Sequence, residues 1–173
     1  MKINESCSKQ THTFITGRAL IISAAALMLL FGTAILPAQT RQEEVAAKGA
    51  KVMPFNLEQT THVFQKLDDG GLQKVVVKDP SNEKQIALIQ SHLKEESEKF
   101  RKGDFSDPAK IHGEDMPGLA QLKAGAAKID IRYSALPDGA QIRYIAKDPK
   151  LVTALHQWFS AQLSDHGSHA TQH

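Results

Sequence analysis

The sequence has a single cysteine, Cys7, which lies before the longest apolar run of the chain. The region after that run has no cysteine, which excludes thiol catalysis, thiolate metal ligands and disulfide bonds there. The chain also lacks a Gly-rich phosphate loop and the HExxH, GxSxG and paired CxxC motifs. Its formal net charge is only +2, so we expect no nucleic-acid partner.

The longest apolar run covers residues 19–36 and carries no charge. It follows a basic polar stretch and ends at Pro37 and Ala38. A basic flank, an apolar core and a small-residue exit are the parts of a secretory signal, but the run is also just long enough to span a bilayer. We therefore predict that residues 1–40 are a signal peptide or an inner-membrane anchor, with the following domain in the periplasm.

The remainder of the chain divides into three parts by composition. Residues 41–53 are interpreted as a tether, residues 54–166 as one α+β domain, and residues 167–173 as a histidine-containing tail. The middle part is long enough for one modest hydrophobic core.

Within the domain, one order of elements occurs twice. Two alternating apolar segments flank a Gly-containing turn, KDP follows, and a stretch with apolar residues at helical spacing comes next. This order predicts two ββα units, and hence a four-stranded antiparallel sheet with both helices on one face. The predicted hairpins cover residues 60–79 and 128–146, and the predicted helices cover residues 82–101 and 150–164.

A long segment, residues 100–126, connects the two units and is rich in glycine and proline. We predict at most a short helix in it, near residues 119–122. Its apolar side chains, among them Phe105, Ile111 and Met116, favour burial over disorder. The segment is therefore predicted to be a long ordered loop over the sheet, and ordered loops of this length are usually functional.

His112 is the most suggestive residue of this loop. An imidazole, two carboxylates and a thioether fall together from His112 to Met116, with Glu114 and Asp115 between them. Histidine with methionine suits copper outside the cytoplasm, whereas histidine with carboxylate suits zinc. The structural alternative is that Met116 fills the core and His112 bonds a backbone carbonyl.

Two further histidines can join His112. His62 lies in the first predicted strand, and His166 ends the second predicted helix on the extension of its apolar face. A half-exposed strand histidine and a helix-end histidine favoured by the dipole are the structural alternatives. The partner is predicted to be a metal ion, copper more than zinc, or a small molecule. The predicted metal ligands are His62, His112, Asp115, Met116 and His166.

Two other classes of function remain open. A small exported enzyme could use His112 as general base, with Asp107 or Asp115 beside it. A structural or interaction module could instead form a homodimer through an uncovered sheet face with Ile129 and its alternate neighbours pointing outward.

Seven short motifs of the chain stand together, at residues 53–56, 60–64, 83–89, 103–108, 111–119, 136–139 and 165–167. These motifs resemble those of a family of small bacterial proteins that are frequently labelled aspartate carbamoyltransferase. The resemblance covers almost all of the region after the apolar run, and it implies one coherent domain with attention on His62, His112 and His166. The chain has neither the Ser-Thr-Arg-Thr loop nor the His-Pro-x-Gln element of true transcarbamoylases, so carbamoyl transfer is not expected.

Overall fold

The structure is a computed structural model that describes residues 40–172. The predicted signal peptide or anchor therefore lies outside the described residues, apart from Thr40. Within residues 40–172, no helix has the length and apolar character needed to cross a membrane.

Within residues 40–172, five helices and five strands form an α+β fold, which confirms the predicted class. The helices are α1 (Arg41–Val52), α2 (Glu83–Arg101), α3 (Ser106–His112), α4 (Leu119–Gly125) and α5 (Pro149–His166). The strands are β1 (Thr60–Leu67), β2 (Gly70–Val77), β3 (Ile129–Leu136), β4 (Gly139–Ala146) and β5 (Ala170–Thr171). Short 3-10 turns occupy Leu57–Gln59, Ala126–Lys128 and Gly167–His169.

The sheet has the order β3-β4-β2-β1-β5. The two predicted hairpins form, and their inner strands β2 and β4 pair antiparallel. The prediction of four strands is wrong by one, because β5 pairs parallel to β1, with His62 opposite Ala170. The chain turns back at Gly167, whose φ is 53°. The segment predicted to be a tail thereby covers the edge of β1, which would otherwise present unpaired backbone groups.

Both long helices cover the same face of the sheet, as predicted. Strand alternation puts His62 and Phe64 of β1 on this face, together with Ile142 and Tyr144 of β4. Helix α2 lies mainly on the β3–β4 hairpin and α5 mainly on the β1–β2 hairpin, so each helix covers the hairpin of the other unit. This exchange ties the two units into one core.

The aromatic centre of this core is Trp158 of α5. Its ring meets those of Phe100, Phe105 and Tyr144 edge-on at centroid distances of 5.9, 5.7 and 5.9 Å. Edge-to-face pairs of this kind are favourable beyond the area that they bury. The predicted core role of Trp158 is correct.

The homodimer hypothesis relied on apolar β3 residues pointing away from the helices. The structure buries Ile129 and Ile131 beneath the helices and leaves Asp130 and Arg132 on the opposite face. The specific apolar surface expected for that dimer is therefore not exposed, and the oligomeric state itself stays a prediction.

The segment predicted to be a tether forms helix α1. Thr40 accepts a hydrogen bond from the Glu43 amide, and the Glu43 carboxylate accepts one from the Thr40 amide, so the two make a capping box. Val45 and Gly49 are buried where α1 packs against α3 and α5. The sequence interpretation missed the helix because its apolar positions are few.

The central segment is ordered, as predicted, but it contains two short helices. Helix α4 includes the predicted short helix, whereas α3 was not predicted. Pro108 lies in the first turn of α3, where proline is tolerated. Gly118 has a φ of 81°, and a Cβ there would lie 2.1 Å from the Ala154 carbonyl oxygen. This close approach fixes the segment against α5, and glycine alone allows it.

Candidate functional site

Three of the predicted site histidines come together beneath the helices. The rings of His62 and His166 stack with centroids 4.6 Å apart at 11°. The ring of His112 meets that of His166 edge-on at 5.0 Å and 75°. All three side chains are buried. The ends of α3 and α5 and the middle of β1 therefore meet at one histidine cluster.

Asp165 and Arg41 hold this cluster in place. The Asp165 carboxylate lies 2.8 Å from Nδ1 of His112, and the Arg41 guanidinium donates to the same carboxylate at 2.8 and 3.1 Å. Arg41 also donates to the His112 carbonyl oxygen at 2.5 Å. These bonds join α1, α3 and α5. The sequence interpretation assigned neither residue to the site, although Asp165 belongs to one of the motifs that carry the family resemblance.

The other two predicted ligands lie elsewhere. Met116 is buried in the hydrophobic core, as the structural alternative had it. Met116 and Asp115 line a surface cleft together with Arg41, His112 and Asp165, but neither lines the cavity that adjoins all three histidines. Within residues 40–172, no group of three or more histidine and carboxylate residues is arranged to hold a metal ion. The metal site stays a prediction.

A cavity of about 50 Å³ lies next to the histidine cluster. It has room for several water-sized groups, because one water needs only about 10–15 Å³ on the same measure. The sheet, α1, α2, α3 and α5 all contribute to its wall. The polar residues of that wall are His62, Gln73, His92, Glu96, Asp107, His112, Gln162 and His166 together with Trp158.

Three buried nitrogen atoms of residues that line this cavity have no hydrogen-bond partner among the described residues. They are Nδ1 of His62, Nε1 of Trp158 and Nε2 of Gln162. The indole and amide nitrogens can only donate. An unpaired buried donor costs about 1–3 kcal/mol, so the two nitrogens that can only donate call for an acceptor beside them, from ordered water or from a ligand.

Gln162 and Trp158 were not predicted as site residues. Trp158 carries no sequence signal beyond that of a core aromatic. Gln162 did carry one, because it is a polar residue within the apolar stripe of the second predicted helix. A polar side chain in such a stripe needs a buried partner or a ligand.

A group of charges forms the α2–α3 side of the cavity. Lys99 lies 3.0 Å from Glu96 and 2.7 Å from Asp107, which also pairs with Lys110 at 2.7 Å. Burial raises the pKa of Glu96 to about 7. Burial opposes ionisation of Asp107 as well, but Lys110 and Lys99 together hold its pKa below its usual value. The carboxylate that bonds to His112 is that of Asp165. No hydrogen bond therefore supports the hypothesis that Asp107 assists His112 as a general base.

The histidine cluster is neutral in the folded protein. Burial lowers the pKa of His62 to about 3 and lowers that of His166 well below its ordinary value. Burial also lowers the pKa of His112, although the Asp165 carboxylate opposes that change. The cavity therefore has polar walls but no imidazolium charge at neutral pH.

In comparisons with known proteins, no family model, no curated protein and no solved structure matches the chain. The resemblance to the carbamoyltransferase-labelled family stays a prediction.

Proposed function

We propose that this protein is an exported domain that binds a small polar ligand in the cavity beside the histidine cluster. The observation that carries this proposal is that three residues lining one cavity, His62, Trp158 and Gln162, each have a buried nitrogen without a hydrogen-bond partner among the described residues. Export is proposed from the signal-like pattern of residues 1–40 alone.

The unpaired donors define what the ligand must offer. The Nε1 of Trp158 and the Nε2 of Gln162 both need an acceptor, and oxygen is the usual acceptor in proteins. A bare metal ion accepts no hydrogen bond and would leave both donors unpaired. The ligand is therefore a small molecule whose oxygen or oxygens can accept two hydrogen bonds. Ordered water alone is the competing occupant.

A second candidate function is a small exported enzyme with His112 as general base. The geometry that favours it is the bond between Asp165 and Nδ1 of His112, which fixes Nδ1 as the protonated nitrogen. The other ring nitrogen, Nε2, is then the basic one. A carboxylate that orients a histidine in this way is a common catalytic arrangement. His112 also lines the cavity, so such a base would act on the same ligand.

The test is a thermal-shift and calorimetry screen of the purified protein with formate, acetate and acetamide. Gln162→Met and Trp158→Phe each remove one unpaired donor and keep much of the side-chain shape. Gln157→Met is the matched control, because Gln157 lies on the exposed face of the same helix. We expect at least one probe to raise the Tm of the wild type and of Gln157→Met, and to bind both cavity variants at least tenfold more weakly.

Two results would overturn the proposal. In one, no probe binds the wild type, which leaves water as the occupant. In the other, the probes bind the cavity variants and the wild type equally. Copper and zinc are titrated in parallel, and tight binding of either that His166→Phe abolishes would establish the predicted metal site instead.

A further inference from the structure

The acidic side chains in the wall of the cavity are Glu96 of α2 and Asp107 of α3. Among the described residues that line the cavity, none is a lysine or an arginine. Lys99 pairs with Glu96, Asp107 and the exposed Glu95, and Lys110 pairs with Asp107. This group therefore sets three carboxyl groups against two ammonium groups. It offers no excess of positive charge to a ligand in the cavity.

The two unpaired donors of the wall come from a different helix. Trp158 and Gln162 are four residues apart on α5, so their side chains leave the same face of that helix. Both side chains are buried, and neither the indole Nε1 nor the amide Nε2 has a partner among the described residues. A ligand must therefore turn an acceptor toward α5.

Glu96 asks for the opposite kind of group. It is buried, and burial raises the pKa of its carboxyl to about 7 although Lys99 lies 3.0 Å away. The carboxyl therefore has too few donors to stabilise its charge. It keeps an acceptor oxygen whether it is protonated or ionised. A ligand that also satisfies Glu96 must turn an N–H or O–H group toward α2.

The size of the cavity limits the ligand further. A volume of about 50 Å³ has room for about three to five water-sized groups. That is the size of acetamide or formamide. An aromatic ring with a polar substituent does not fit without displacement of the wall.

We propose that the ligand is a small neutral primary amide, whose carbonyl oxygen accepts from Trp158 and Gln162 and whose NH₂ group donates to Glu96. This inference rests on the proposed function and adds the chemical class of the ligand. It also adds Glu96 as a residue that binds the ligand and selects it.

The amide satisfies both helices where molecules of the same shape do not. A carboxylate has no donor for Glu96, and its buried charge would face Glu96 and Asp107 without a lysine or arginine in the wall. A ketone can only accept, so it leaves Glu96 without a donor. An alcohol must serve both helices from one oxygen atom, whereas the amide has its acceptor and its donors on separate atoms.

The experiment compares acetamide with molecules of the same number of non-hydrogen atoms, by calorimetry on the purified protein. Acetate replaces the NH₂ group by a charged oxygen, acetone replaces it by a methyl group, and 2-propanol offers one hydroxyl. We expect acetamide to bind about tenfold more tightly than each of them, because each lacks one of the hydrogen bonds or adds a buried charge. Benzamide, which has the same amide on a larger body, should not bind.

Variants of Glu96 test its role in this preference. Glu96→Met removes the acceptor and should weaken acetamide binding about tenfold while acetone binding stays unchanged. Glu96→Gln keeps an acceptor oxygen and should retain the preference for acetamide. Glu95→Met is the matched control, because Glu95 pairs with the same Lys99 but is exposed. Thermal unfolding confirms that each variant is folded, and the comparison of ligands on the wild type alone is decisive if Glu96→Met does not fold.

The outcomes are distinguishable from those of the proposed function. If acetate, acetone or 2-propanol binds as tightly as acetamide in a Gln162-dependent manner, the amide class is wrong and the binding function stands. A preference for acetamide that survives in Glu96→Met would likewise overturn the inference and leave the function intact. If no probe binds the wild type, both fail.

Discussion

The two hairpins occupy equivalent places in the fold but differ in what they put under the helices. The β3–β4 hairpin places Ile129, Ile131, Ile142 and Tyr144 there, all of which are buried. The β1–β2 hairpin places His62 and Gln73 among its apolar residues, and both line the cavity. One hairpin contributes apolar packing, and the other combines packing with buried polar groups.

The same division runs along helix α5. Its first half buries Leu151, Ala154 and Leu155, and its second half ends in Gln162 and His166. The second half reaches the histidine cluster. Buried polar groups there lower stability unless each has a hydrogen-bond partner. Six of the eight buried polar or charged side chains of the described residues line the one cavity. Such a concentration is expected of a binding site more than of a uniformly packed domain.

The largest expected effect comes from the apolar hairpin. Ile142→Ala deletes methyl groups at a fully buried position, so we expect a loss of about 2–5 kcal/mol in the free energy of unfolding. Urea denaturation monitored by Trp158 fluorescence measures it. Ile145→Ala is the control, because Ile145 lies on the opposite, partly exposed face of β4, and its loss should be markedly smaller. Equal losses would contradict the assignment of the two faces.

The histidine cluster should make stability depend on pH. Burial lowers the pKa of His62 to about 3 and also lowers the pKa of His166 and His112, whereas the unfolded residues have pKa values near 6.5. The unfolded state therefore binds more protons, and the stability present above pH 6.5 is lost as the pH falls. Each histidine contributes up to about 1.4 kcal/mol per pH unit.

Between pH 6.5 and 5 the raised pKa of Glu96 has the opposite effect on the free energy of unfolding, and its size is about that of one histidine. The net expected loss is therefore about 3 kcal/mol per pH unit at most. Urea denaturation at pH 7, 6 and 5 measures this loss. In His166→Phe the free energy of unfolding should change with pH less steeply, by up to about 1.4 kcal/mol per pH unit. A wild type equally stable at all three values would contradict a neutral buried cluster.

The contribution of Glu96 to the pH dependence of stability should have the opposite sign to that of the histidines. Burial raises its pKa from about 4.5 to about 7, so the neutral form stabilises the fold at low pH and stability is lost as the pH rises through about 7. Glu96→Gln keeps the shape without the charge. We expect the variant to exceed the wild type by up to about 3 kcal/mol at pH 8, with no gain at pH 4.

Glu95→Gln is the matched control for Glu96. Both carboxylates pair with Lys99, at 2.8 and 3.0 Å, but Glu95 is exposed. An exposed ion pair contributes little, so the control should change stability by less than about 1 kcal/mol at either pH. A control that behaves like Glu96→Gln would mean that the Lys99 pairing, and not burial, sets the pH dependence.

Much of the fold could be predicted from the sequence, because local patterns of residues determine the hairpins and the two long helices. Alternation and turn residues predicted both hairpins, and helical spacing predicted α2 and α5. The strand β5 could not be predicted, because two residues pairing with a distant edge leave no periodic signal. Helix α1 was overlooked although its capping box at Thr40 is a local signal.

The site was predictable only in part. His62, His112 and His166 were identified from residue type and position, and the structure brings them together. Met116 and Asp115 were assigned because they are close to His112 in sequence, which does not decide which way a loop side chain points. The partnership of Asp165 with His112 spans more than fifty residues, so it depends on tertiary structure that no local pattern encodes.

The smallest expected effect tests the polar end of the core directly. Gln162→Met replaces a side chain with an unpaired buried Nε2 by an unbranched apolar one of equal length. Without ligand, we expect the variant to match the wild type or to exceed it by up to about 1 kcal/mol, because removal of an unsatisfied donor offsets the changed packing. Urea denaturation without probe measures the change, with Gln157→Met as the exposed control. A loss above about 2 kcal/mol would show that Gln162 makes a hydrogen bond without any added ligand, and the polar end would then be structural, like its apolar counterpart.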